Sequence, residues 1–280
     1  MSETLILDAP AKLNLSLRVL RKREDGFHEL DTLMVRLPGL CDRLSFTLAD
    51  ADTFSCDDPG VPGDGSNLVL KALAAYRAAA GWFQPLAIHL EKSVPHGAGL
   101  GGGSSDAAAT LAAVDRLNGD ALGTERLMEI AATIGSDIPY FLGPPAARAT
   151  GRGEKIEAAD EPPKLPVLLL KPGFGVATPD AYKRWSTSKE LPGIPYAPQL
   201  FPWGELVNDL ERPVFEKHLF LAEVKLWLLG RPEVAGALMS GSGSTMFAIL
   251  KNDEAATALI EAARAELDPT LWAWQGLIGG

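Results

Sequence analysis

The sequence predicts an α+β protein in two parts, and three observations support this. The first is a strand–loop–helix succession. Leu86, Ile88 and Leu90 alternate with Ala87, His89 and Glu91, the period of a half-buried strand. The loop that follows, PHGAGLGGGSSDAAA over Pro95–Ala109, holds five glycines between Gly97 and Gly103, and a helix-forming alanine run comes after it. The second is the order of patterns near the C-terminus: strand 167–170, helix 178–185, strands 236–239 and 246–250, helix 254–267, strand 271–277. Strand–helix–strand–strand–helix–strand is the ferredoxin-like order. The third is the charged segment Glu157–Pro166, with three prolines, which reads as a boundary. The chain's 280 residues suit about two domains. The expected division is therefore 1–156 and 157–280, with the last strand a candidate to return to the N-terminal part.

From the start of the chain, Leu5 and Leu7 mark a first strand. Leu13, Leu15 and Leu17 then alternate with Lys12, Asn14 and Ser16, so Lys12 and Asn14 share one face of a strand. That face is either solvated or sets a cation and an amide beneath the glycine loop. Arg21, Lys22 and Arg23 lead into an Asp25-Gly26 turn, and Phe27 and His28 follow. These two read either as a plain hairpin exit or as a ring and an imidazole offered to a planar ligand. Leu44, Phe46 and Leu48 suggest another strand. Ser66 is the expected cap of a helix over 67–80, with Gly81 past its end. Thr124–Ile134 is amphipathic and stops at Gly135. Asp137 follows in Ser136-Asp137-Ile138-Pro139. A carboxylate there either caps the next helix or takes a proton from a bound hydroxyl. Ala149–Lys155 reads as a hairpin bend, and a long helical region is expected from Trp203 to Leu229. The turn Ser240–Ser244 is either an ordinary hairpin turn or a second glycine loop leaning on the first loop's ligand.

The glycine loop carries the chemistry. Without a Cβ, glycine lets amides turn inward and a bulky anion come close. Ser104 and Ser105 are the expected helix caps, and Asp106 suits the first turn. Free amides at a helix start form a phosphate cradle. A turn needed only for packing would use one or two glycines rather than five. Gly97, Gly99 and Gly102 match G-x-G-x-x-G, but that fingerprint requires a second strand ending in an acidic residue about 20 positions on. Asp115 and Asp120 lie in helix and turn, and the next helix begins at Thr124. No lysine follows these glycines, so the Walker loop is absent. The remaining reading is a nucleotide phosphate held by backbone amides and serines.

Composition narrows the classes further. Hydrophobic residues make up 46% of the chain, enough for a sizeable core. The net charge of −10 argues against a nucleic-acid partner, which would call for a basic face. Cys41 and Cys56 are too few for a disulfide framework and lack metal-ligand spacing, so reduced thiols in a cytoplasm are expected. The start MSETLILDAPAKL does not read as a signal peptide, and no apolar stretch is long enough to span a bilayer. A cytoplasmic protein without a nucleic-acid or membrane partner is the expectation; composition does not set the oligomeric state, monomer or weak homodimer.

Three segments together resemble the motifs of the GHMP kinases: Pro10-Ala11-Lys12-Leu13-Asn14, the Pro95–Ala108 loop, and Ser240–Ser244. DGFH at Asp25, GLGGGSSDAA at Gly99, GSDIPYF at Gly135 and SGSGSTMFA at Ser240 extend the resemblance over most of the chain. The nearest likeness is to the branch that serves the non-mevalonate isoprenoid pathway. The resemblance implies a two-domain GHMP kinase fold: an N-terminal nucleotide-binding domain, a C-terminal ferredoxin-like domain, and an active site in the cleft between them. It implies transfer of the ATP γ-phosphate, with Mg²⁺, to a hydroxyl of a methylerythritol unit that carries a cytidine diphosphate. By position, Asp137 matches the base and Lys12 the lysine that orients it; Asn14 lies near the acceptor. His28 matches the contact to cytosine, and Tyr182 matches one stacking ring, with Thr178 in the same run. Phe27 stands where the family often has tyrosine, and keeps the ring without the hydroxyl. Asn67 and Leu68 match the border of the adenosine pocket. Pro95, His96, Gly97, Ala98, Gly99, Leu100, Gly101, Gly102, Gly103, Ser104 and Ser105, with Gly241 and Ser242, match the ATP-binding loops. Metal ligands are not assigned by the resemblance. The rival readings are a superfamily kinase for a small alcohol without a base, a dinucleotide-dependent dehydrogenase, and a non-catalytic nucleotide-binding module. The Phe27, His28 and Tyr182 group disfavours the first of these.

Overall fold

The computed structural model describes residues 4–280. The first half of the chain runs β1 (Thr4–Lys22), β2 (His28–Leu48), β3 (Thr53–Cys56), α1 (Leu68–Ala80), β4 (Leu86–Glu91), α2 (Gly102–Leu117), α3 (Gly123–Ile134), α4 (Ile138–Leu142), β5 (Ala146–Gly151) and β6 (Lys155–Ala158). The second half runs β7 (Leu165–Lys171), α5 (Thr178–Arg184), β8 (Gln199–Phe201), β9 (Gly204–Asn208), α6 (Glu211–Lys217), α7 (Leu219–Leu229), β10 (Val234–Met239), β11 (Met246–Leu250), α8 (Ala256–Glu266) and β12 (Trp272–Ile278).

The first sheet has the order β3-β4-β2-β1-β9-β8, with β5 on β2 and β6 beyond it. Its spine is the antiparallel hairpin of β1 and β2, which sets Thr4 opposite Thr47 and Lys22 opposite His28. β2 is long enough to pair with β4 through Arg43–Leu48 and with β5 through Leu30–Val35. The second sheet has the order β10-β11-β7-β12, with every pair antiparallel. That is the ferredoxin-like arrangement expected from the sequence.

Strand periodicity explains how the layers stack, because successive side chains point to opposite faces. Val167 and Leu169 of β7 and Phe247 and Ile249 of β11 join Leu13, Leu15, Val35 and Leu37 of the first sheet in a core between the sheets. Their neighbours Leu168, Leu170, Met246 and Ala248 turn the other way, onto Val214, Leu221, Val224 and Leu228 of α6 and α7. A third core lies under α1, α2 and α3, with Phe46, Ile88, Leu111 and Val114 among its members. Burying a side chain of this size is worth about 1.5–3 kcal/mol, so the shared core holds the two sheets firmly against each other. Both cysteines are free thiols. No helix among the described residues is long and apolar enough to cross a membrane.

Four expectations need correction. Leu5, Leu7 and the run from Leu13 to Leu17 belong to one 19-residue strand rather than two. Asn67, not Ser66, caps α1: its side chain accepts from the Val69 amide at 2.8 Å. The region 203–229 is not helical throughout, because Gly204–Asn208 is strand β9, paired in parallel with β1 at Ser16 and Leu17. The last strand, β12, pairs with β7 in the second sheet. The second half joins the first sheet through β9, with β8 paired beyond it.

Candidate active site

Lys12 and Asn14 lie on the face of β1 opposite the core residues Leu13 and Leu15. Both are 3% exposed. The Lys12 ammonium donates to the Gly99 carbonyl at 2.9 Å and to Asn14 Oδ1. Asn14 is fixed from its other end, where Nδ2 donates to Thr32 Oγ1 at 2.8 Å. Burial pulls the Lys12 ammonium below its ordinary pKa, and nearby Asp137 pushes the other way. The two charges stand 4.0 Å apart.

The glycine loop crosses above this pair. Its carbonyls are tied back to the scaffold. Ala98 O accepts from Thr245 N at 3.1 Å, Leu100 O from Lys12 N at 2.9 Å, and Gly99 O from Ser240 Oγ at 3.0 Å. The amides from Gly97 to Ser104 donate to no group among the described residues. Gly99 has a φ of +75°, and a Cβ there would lie 2.1 Å from Ser240 O. Helix α2 begins at Gly102 with Gly101 at the cap position. Ser104 and Ser105 therefore lie inside the first turn rather than capping it, because the left-handed Gly101 ends the loop three residues earlier than a cap at Ser104 would.

The second glycine turn does meet the first. A Cβ on Gly241 would lie 3.1 Å from Gly99 O and 3.2 Å from the Lys12 ammonium. The Asn208 side chain of β9 anchors this turn, donating to Met239 O and Gly241 O, both at 2.7 Å. Thr178, at the start of α5, shares a hydrogen bond of 2.7 Å with Ser242.

Asp137 occupies the cap position of α4, but its side chain makes no capping bond. A cap oxygen accepts from the second or third helical amide, and the second here is Pro139, which has none. The carboxylate is 43% exposed and turns to the cavity. Tyr182 stacks on the His28 imidazole, with centroids 5.4 Å apart and an interplanar angle of 25°. Burial raises the Tyr182 phenol and lowers the His28 imidazole, with Lys22 adding to the latter. Phe27 is exposed on the hairpin tip, and the Arg152 guanidinium lies 4.8 Å over its ring.

Lys12, Asn14, the glycine loop, Gly241, Ser242, Thr178, Asp137, Tyr182, His28 and Phe27 line one cavity of about 930 Å³ between the two halves. Of the residues singled out from the sequence, only Asn67 and Ser105 are absent from its wall. Asn67 has spent its side chain on the cap and on Pro62 O at 2.7 Å, and Ser105 is 1% exposed. Lys22, Arg152 and Lys183, which no sequence motif marks as site residues, also line the cavity. Their signal was faint, a basic run before a turn and single cations beside Gly153 and Tyr182. Among the described residues, Asp137 is the one carboxylate on the wall. Among the described residues no three His, Cys, Asp or Glu converge as metal ligands.

Sequence models describing the GHMP kinases N terminal domain and the GHMP kinases C terminal domain match residues 67–143 and 200–268. Fold and site together thus define a kinase of the ATP-using GHMP class. The 4-diphosphocytidyl-2-C-methyl-D-erythritol kinase of Methylacidiphilum infernorum is 43% identical over 94% of this chain and 93% of its own length. That of Geobacter metallireducens is 39% identical over 91% and 92%. A crystal structure of 4-(cytidine 5'-diphospho)-2C-methyl-D-erythritol kinase matches with a TM-score of 0.81 and 36% identity, over 99% of this chain and 100% of that one. Homoserine kinase from Cytophaga hutchinsonii, 19% identical with a TM-score of 0.70, shares the fold. The chain belongs to the 4-diphosphocytidyl-2-C-methyl-D-erythritol kinase family.

Proposed function

We propose that this protein transfers the γ-phosphate of ATP to the 2-hydroxyl of 4-diphosphocytidyl-2-C-methyl-D-erythritol, a step of the non-mevalonate isoprenoid pathway. One observation carries the residue roles: a loop with tied carbonyls and free amides borders the same cavity as Lys12 and Asp137. Phosphoryl transfer depends mostly on positioning and charge stabilisation. In this reading the amides of Gly97–Ser104, with Gly241 and Ser242, hold the triphosphate, and Leu68 borders the adenosine. Asp137 takes the proton as the hydroxyl oxygen attacks the γ-phosphorus and the bond to ADP breaks. Lys12 holds Asp137 and offsets charge on the transferred group. Phe27, His28 and Tyr182 take the cytosine, with Asn14 and Thr178 near the acceptor. Because Tyr182 rests on His28, the base enters by moving one of them or by using the open side of Phe27. Lys22, Arg152 and Lys183 stand beside His28, Phe27 and Tyr182, where the acceptor's diphosphate would run.

The donor set fits Mg²⁺ carried on the nucleotide. That ion keeps several waters and binds through substrate phosphates and one or two carboxylates. Asp137 is the carboxylate available to it, and the ion would neutralise phosphate charge. We take 1–156 as the nucleotide-binding half and 157–280 as the substrate-side half, with β9 crossing between them. The test is ADP release on adding diphosphocytidyl-methylerythritol, with the phosphorylated product identified by mass. ADP formation no faster than with mevalonate or homoserine would end this reading.

A further inference from the structure

Beneath the glycine loop lies a group of charges that the proposed transfer does not use. Lys92 follows β4, Asp42 is on β2 and Asp106 is on α2. Their side chains are 6%, 0% and 4% exposed. The Lys92 ammonium pairs with Asp42 Oδ2 and lies 3.0 Å from Asp106 Oδ2. The other oxygen of Asp42 accepts from the amides of Ser93 at 2.7 Å and Val94 at 2.8 Å. One carboxylate therefore grips the chain just before the loop. Lys92 ties that carboxylate to the helix just after it. A Cβ on Gly102 would lie 3.0 Å from Val94 and 3.3 Å from Asp42, so the two ends also touch directly.

Burying a charge costs several kcal/mol unless partners compensate it. Here one ammonium serves two carboxylates, and Asp106 Oδ1 is buried without a partner. Burial pushes the Asp106 carboxyl up to about 7, with Asp42 adding to the rise and Lys92 opposing it. Burial would lower Lys92, but the two carboxylates outweigh it and hold the ammonium above its ordinary value. Several charged and titratable groups on the other elements packed on α2 have partners of their own. Lys12 of β1 turns to Gly99, Tyr76 of α1 donates to Asp115, Arg126 and Glu129 of α3 pair together, and Tyr140 of α4 donates to Pro145 O.

We propose that Lys92, Asp42 and Asp106 form a buried clasp that presets the glycine loop for nucleotide phosphates, so that nucleotide affinity, and not acceptor affinity, depends on the clasp and its charge. This rests on the reading that the loop holds the nucleotide. The three are positioning residues. Below about pH 7 the clasp holds one ammonium and one carboxylate and is neutral. Above it, Asp106 ionises and sets a net negative charge under the site of a polyphosphate, which weakens nucleotide binding.

Two variants test this. ADP binding is measured by calorimetry from about pH 6 to about pH 8.5. Relative to Asp106→Asn, the wild-type Kd should rise roughly threefold to tenfold across that range, the size of a unit-charge interaction over roughly 12–25 Å at an effective dielectric of about 20. Comparing the two proteins cancels the titration of ADP itself. Lys92→Met should raise the KM for ATP about tenfold while leaving the KM for the acceptor within about twofold and kcat less affected. Should that variant fail to fold, the Asp106→Asn profile decides. Parallel pH profiles in wild type and Asp106→Asn, or equal rises in both KM values, would overturn the clasp. A clasp-dependent ADP profile without turnover of the cytidine substrate would leave the clasp standing and remove the proposed reaction.

Discussion

At the scale of single residues, the sequence leaves Asp137 open between cap and base, and local geometry argues against the cap. Pro139 removes one of the amides a cap would use, and the carboxylate faces Lys12 across 4.0 Å. A general base contributes about 10²–10⁴ in rate. Asp137→Asn should therefore lower kcat by roughly a hundredfold or more while both KM values stay within about threefold. Steady-state kinetics on the folded variant checks this, and near-normal turnover would exclude Asp137 as the base. Lys12 and Asn14 were legible as partners because a strand's period puts every second residue on one face. The clasp was not. Asp42 and Lys92 are 50 positions apart in the chain, and only the pairing of β2 with β4 brings them together.

At the scale of elements, the glycine loop and its helix were legible because glycine density and the alanine run are local signals. Strand β9 was hidden for an equally local reason. Trp203, Leu206, Leu210 and Val214 fall three to four residues apart, the spacing of a helix face. Tertiary pairing with β1 overrides that pattern, and Asn208 at the strand's end fixes the second glycine turn. The loop's shape also sorts its glycines. At Gly99 an added methyl would run into the Ser240 carbonyl at 2.1 Å in a left-handed backbone, whereas at Gly103 the nearest atom is Leu68 Cδ1 at 3.5 Å. The left-handed conformation alone costs a non-glycine residue about 1–2 kcal/mol. Gly99→Ala should lower Tm by several degrees, and Gly103→Ala by about 1 °C or less. Thermal unfolding of the two proteins compares them directly, and equal Tm values would mean that the close approach at Gly99 yields easily.

For the whole molecule, two halves were legible from the proline-rich segment and the ferredoxin-like strand order, but their shared core was not. It joins Leu13 and Leu15 to Leu169 and Phe247, residues too distant in the chain for any local pattern. That core fixes a cavity whose charge opposes the rest of the molecule. The chain carries a net charge of −10, yet the cavity wall bears Lys12, Lys22, Arg152 and Lys183 against Asp137 alone. A cleft lined by one sign of charge focuses field lines and raises the local concentration of an anionic substrate. Lys22, Arg152 and Lys183 are partly or fully open to water, so their pull is screened over about 10 Å at 0.1 M salt. In the proposed reading the nucleotide phosphates meet amides instead, which would make their binding less sensitive to these cations. Raising potassium chloride from about 20 mM to about 300 mM should then raise the KM for the acceptor severalfold, with kcat nearly constant. In the combined Lys22→Gln, Arg152→Gln and Lys183→Gln protein, that KM should start higher and respond less to salt, while the KM for ATP moves little. An unchanged salt response in the triple variant would mean that the field on the acceptor comes from Lys12 and the backbone, not from the cations around the aromatic cluster.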